Sequence, residues 1–91
     1  MSEASCEPGT DEQERAYQRA RDLLGAVIAE YSAKIGDADD AGDDATADRL
    51  VEERRPYVEQ RQRLTFAGRA EVDRIIAEYP DVVKQLRGAG S

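Results

Sequence analysis

From Tyr17 onward the apolar residues recur at steps of three and four: Tyr17, Ala20, Leu24, Val27 and Tyr31, with Leu23, Ile28 and Ile35 widening the stripe. That period gathers them on one face of an α-helix, and it is not the strict alternation of a half-buried strand. The pattern resumes after each interruption. Ala47, Leu50, Val51, Tyr57, Val58 and Leu64 share a second helical face, with Leu50, Tyr57 and Leu64 seven apart. Val72, Ile75, Ile76 and Tyr79 follow the i, i+3, i+4, i+7 rule, and Val82, Val83 and Leu86 form a last apolar group. No alternating run and no Asn-Gly hairpin signal occurs. The chain therefore reads as all-α: an antiparallel helical hairpin plus a shorter third helix and a C-terminal helical turn, a small coiled-coil-like bundle.

Punctuation residues set the boundaries. Thr10 and Gln13 fit a capping box, with Asp11 and Glu12 well placed against the helix dipole, so the first helix is expected over about 11–41. Gly36 is tolerated inside it at about 1 kcal/mol, because Ala38 keeps phase and Gly42 offers a better stop. Asp43 then caps a second helix over about 44–64. Pro56 lacks an N–H and crowds the carbonyl of Glu52, which predicts a kink, and not a break, because the stripe continues in phase beyond it. A turn at Thr65–Gly68 leads into a third helix over 66–79. Pro80 is expected to push Tyr79 out of helical geometry and to open a separate final turn over 80–87. Residues 1–10 and 88–91, with little to bury, read as disordered tails around a single domain.

The apolar stock is small: four Tyr, one Phe and no Trp among the aromatics of a 91-residue chain. A core of this size seldom contributes more than about 3–5 kcal/mol net. One cysteine allows no internal disulfide, and the absence of histidine argues against structural zinc. Self-association is then the cheapest way to bury more surface, and a homodimer with a shared four-helix core is the expectation. No run of about 18 apolar residues spans a membrane, and the acidic N-terminus has no apolar stretch of a secretory signal. The expected location is cytoplasmic. Eleven arginines against two lysines, with abundant Ala, Asp and Glu, match GC-rich bacterial genomes, an association and not a physical argument.

Charge is unevenly spread. The net −7 divides into −9 over residues 1–48, from thirteen acidic and four basic side chains, +2 over 49–74 and zero thereafter. Such a chain is a poor match for nucleic acid, whose binding needs a basic footprint. The asymmetry instead suits two copies stacked with opposite ends together, or the steering of a basic partner.

Four features stand out as candidate sites. The Asp-rich turn, Asp37-Ala38-Asp39-Asp40-Ala41-Gly42 with Asp48 beyond, overlays part of a calcium-binding EF-hand loop, but Ala41 and Asp48 fail two of the ligand positions. It reads as an acidic helix-hairpin turn. The arginines Arg49, Arg54, Arg55, Arg61, Arg63, Arg69 and Arg74 interleave with Glu52, Glu53 and Glu59 and read mostly as a solvated flank, except that Arg54 and Arg61 lie beside the apolar stripe. The tyrosines suit a core and a subunit interface equally. Residues 58–79 have the outline of a helix-turn-helix, but Glu71, Asp73 and Glu78 cancel the charge of Arg69 and Arg74. Cys6, flanked by Glu3 and Glu7, is a poor thiolate.

No motif supplies catalysis, a metal or a cofactor. The expected function is a non-enzymatic protein–protein interaction module, an adaptor or assembly component, binding itself and another protein, with no membrane and no small-molecule substrate. Its interaction residues are expected among Tyr17, Leu24, Tyr31, Leu50, Arg54, Tyr57, Arg61 and Leu64. An acidic inhibitor, antitoxin or nucleic-acid mimic is the alternative, and a small DNA-binding regulator acting through residues 49–74 is the third reading.

Overall fold

The computed structural model describes residues 8–89, with side chains from Glu12 to Gly88. Three helices follow in order: α1 (Pro8–Asp40), α2 (Asp44–Arg63) and α3 (Arg69–Ala89), with a 3-10 turn (Leu64–Phe66) between the last two. No strand occurs among the described residues. The helices run up, down and up, so α3 lies parallel to α1. The result is a small helical bundle shaped as a rod of 60 × 25 × 21 Å.

The sharp turn after α1 is set by two residues. Gly42 takes φ +73°, a left-handed conformation that costs a residue with a Cβ. Its N–H bonds the Asp39 carbonyl at 3.0 Å, and the Asp43 N–H bonds the Ala38 carbonyl at 2.8 Å. Asp43 then caps α2: Oδ1 accepts the Thr46 N–H at 3.2 Å, and the Thr46 hydroxyl donates to Oδ2 at 2.6 Å. Those two bonds, the hydroxyl's first, hold the Asp43 carboxyl below its ordinary range.

The core forms two successive clusters along α1. Ala20 and Leu24 meet Leu64, Val72 and Ile75 near the α2–α3 turn. Val27 and Tyr31 meet Leu50 and Val83 further up. α1 carries the extended backbone contacts with both other helices, whereas α2 and α3 meet through long side chains. Tyr57 joins the two clusters. Its ring stacks on Tyr31 at 5.8 Å and takes Tyr79 edge-on at 5.6 Å. On this side the α1 stripe is covered by α3 of the same chain.

Several boundaries depart from the sequence reading. α3 continues through Pro80 as one helix, where a break had been expected. Val72, Ile75, Tyr79, Val82, Val83 and Leu86 keep a single phase across the proline, and the Tyr79 hydroxyl donates to Gln60 Oε1, so packing holds the segment helical. α3 also starts at Arg69 and not at 66, because Leu64–Phe66 extend α2 as a 3-10 turn and Ala67 is extended. At its far end Gly88 and Ala89 are helical, and 90–91 lie outside the described residues. α1 begins at Pro8, a residue suited to a first turn. The side chains of the expected Thr10–Gln13 capping box lie partly outside the described residues, as do residues 1–7 of the expected tail. α2 is unbroken at Pro56, which is exposed.

Candidate interaction face of the α1–α2 hairpin

α3 covers one side of the α1–α2 pair. The opposite side is lined by a flank of each helix. On α1 the residues at steps of four and three are Arg21, Gly25, Ile28 and Ser32; on α2 they are Val51, Arg54, Val58 and Arg61, followed by Thr65 in the 3-10 turn. Two cross-helix bonds fix this pairing. The Tyr17 hydroxyl lies 3.4 Å from Thr65 Oγ1 at the end near the 3-10 turn. Near the middle Arg54 Nη1 donates to Ser32 Oγ at 3.0 Å, while Ser32 donates to the Ile28 carbonyl at 2.9 Å. A shallow depression at the Tyr17 end is bounded by Arg21, Asp22, Gly25, Arg61 and Thr65.

Ile28, Val51 and Val58 are half-buried here and belong to neither core cluster. They form a thin apolar seam between charged edges. Arg21, Arg54 and Arg61 have no carboxylate within 4.0 Å among the described residues, whereas Arg49, Arg55, Arg69 and Arg87 pair with Glu53, Glu52, Asp73 and Glu30. Among the described residues Arg19, Arg63 and Arg74 also lack such a pair, but they do not border the seam. Arg54 is half-buried, and Arg21 and Arg61 are exposed at the edge of the seam. An apolar centre with arginines at its rim resembles the composition of protein interfaces more than that of a solvated flank.

The eight residues singled out from sequence separate into two groups. Leu24, Leu64, Leu50 and Tyr31 are core of the single chain, at 0%, 1%, 7% and 8% exposure. Burial, with smaller contributions from Tyr57 and Glu53, raises the Tyr31 pKa above its ordinary value. Tyr57 is half-buried in the tyrosine column. Tyr17, Arg54 and Arg61 reach the α1–α2 face, which also holds Arg21, Gly25, Ile28, Ser32, Val51 and Val58. That second set is legible as a flank displaced from the main stripe by one helical step, a signal weaker than the stripe itself.

The other candidate features take simpler places. The aspartates of the α1–α2 turn spread around the end of the rod, and among the described residues no three Asp, Glu, Cys or His side chains are grouped to hold a metal ion. Arg69 is paired with Asp73 along α3, 2.8 Å away. Tyr79, Gln60 and Glu71 form a chain of hydrogen bonds between α2 and α3, in which Gln60 Nε2 donates to Glu71 at 3.0 Å. Burial is the main reason that the Tyr79 pKa is raised. Among the described residues, no helix is long and apolar enough to cross a membrane. The chain matches no protein-family model, no curated protein and no solved structure with which it was compared.

Proposed function

We propose that this chain is a non-enzymatic protein–protein interaction module, an adaptor or assembly component, that receives its partner on the outer face of the α1–α2 hairpin. The observation carrying this reading is the seam of Ile28, Val51 and Val58 bordered by three arginines that have no carboxylate within 4.0 Å among the described residues. An apolar centre supplies burial, and a charged edge selects and orients what docks. Action in the cytoplasm, without cofactor, belongs to the same proposal. The test is a photo-crosslinking residue at Val58, with a control at Ala77 on the exposed side of α3, in the cells that produce the protein. Crosslinked products specific to position 58 are expected. Equal yields at both positions, or none at 58, would overturn the assignment of this face.

A second reading is an acidic inhibitor of a basic site. It is favoured by the exposure of Asp37, Asp39, Asp40, Asp44 and Asp48 together at one end of the rod. Its complex would weaken steeply with salt and would depend on those aspartates rather than on Val51 and Val58.

A further inference from the structure

The outer face of the hairpin is polarised along its length, and the polarity is symmetric about its middle. Tyr17 lies beside Thr65, and Ser32 beside Arg54. With α1 and α2 antiparallel, these two ties place Arg21 level with Arg61 at one end, where Asp22 beside them leaves a net positive charge, and Asp39 and Asp40 level with Asp44 at the other. Both ends stand about nine residues, or roughly 13 Å, from the Ser32–Arg54 bond. Ile28, Val51 and Val58 lie between them.

We propose that the occupant of this face is a second copy of the same chain, laid antiparallel about a two-fold axis that passes close to Ser32 and Arg54. The inference rests on the reading of this face as a protein-binding surface and names what binds there. Rotation by half a turn sets Arg21 and Arg61 of each copy against Asp39, Asp40 and Asp44 of the other, twice over, and lays the apolar seam on itself. A two-fold interface must be self-complementary in this way. A parallel arrangement would set like charges together at both ends. Gly25 and Gly36 lie on either side of the axis on α1. A Cβ built on either meets nothing within 4 Å, so both leave room for the partner's side chains. Arg54 meets its own copy near the axis, a like-charge encounter that limits the affinity.

Charge reversal tests the register. Sedimentation equilibrium of the full chain over a concentration series is expected to show a reversible dimer that weakens with salt. Arg21→Glu with Arg61→Glu leaves a face acidic at both ends; Asp39→Arg with Asp40→Arg leaves one with arginine at both. Each double variant is expected to keep its circular dichroism and to raise its dimer dissociation constant at least tenfold. An equimolar mixture of the two is expected to restore a dimer, now strictly mixed. The aspartate pair lies in the last turn of α1, where basic residues favour the helix, so this variant is safe for the fold. A wild-type chain that stays monomeric at every concentration, or a mixture that forms no mixed dimer, overturns the proposal. If the wild-type chain is monomeric while Val58 crosslinks a different protein, only the choice of occupant has failed. If it is monomeric and Val58 crosslinks nothing, the face has failed as well.

Discussion

Tyr57 of α2 meets the ring of Tyr79 of α3 edge-on, with centroids 5.6 Å apart and planes at 74°. The same Tyr57 ring stacks on Tyr31 of α1. One side chain therefore touches all three helices where the two core clusters join. Edge-to-face pairs contribute about 0.5–1.5 kcal/mol beyond the area they bury. Tyr57→Ala should lose both ring contacts and open a gap between the clusters, at a cost of roughly 2–3 kcal/mol. Urea unfolding measures it; a loss under about 0.5 kcal/mol would mean that the column is incidental to stability.

Leu24 is fully buried in the lower cluster. Leu24→Ala should cost about 2–5 kcal/mol, the range for a truncated core leucine. Leu24→Asp should unfold a chain with so small a core, because an unpaired carboxylate cannot be buried there. A native helical circular-dichroism spectrum with a cooperative melt for Leu24→Asp would contradict the placement of this face.

The two helix-interior prolines should respond differently. Pro56 is exposed, so Pro56→Ala restores an N–H for the Glu52 carbonyl and loses little packing. It should stabilise by roughly 1–3 kcal/mol. Pro80 is half-buried among α3 residues that pack on α1, so the gain from Pro80→Ala is partly offset by lost contact and should be smaller. Thermal melts of the two variants side by side give the order directly; a destabilised Pro56→Ala would show that the proline shapes the α2 packing.

Alkaline solution should weaken the fold through its tyrosines. Tyr31 and Tyr79 have pKa values raised in the folded state, chiefly by burial. The unfolded chain therefore releases these protons first, and the stability present below about pH 10 falls as pH rises beyond it. Tyrosinate absorbance and helical circular dichroism should change together. A chain that ionises all four tyrosines while keeping full helicity would refute the coupling.

Asp43 works in the opposite direction. Its carboxyl is held low by Thr46, so the capping contribution is present at neutral pH and is lost as pH falls through the folded-state value. Asp43→Ala should lower the melting temperature at pH 7 and have less effect in acid, where wild type has already lost the cap. Equal effects at both pH values would assign the cost to something other than the carboxylate.

How much of this was legible in the chain differs from residue to residue. Steps of three and four from Tyr17 to Leu86 dictated helices throughout, because only that period collects the apolar side chains on one face. Gly42 and Asp43 dictated the turn, since a left-handed residue followed by a capping carboxylate is a local requirement. Pro80 was misleading for the same local reason: its clash is real, but Tyr79 and Val83 are anchored on other helices, and that packing outweighs it. Only the tertiary structure decided that Leu24, Tyr31, Leu50 and Leu64 serve a core closed by α3 of the same chain. It alone set Arg21 beside Arg61, at the end of the hairpin face opposite Asp39. Periodicity tells which side chains share a face of one helix. Which face of the next helix they meet, and what is left uncovered, depends on how three helices divide the available burial among themselves.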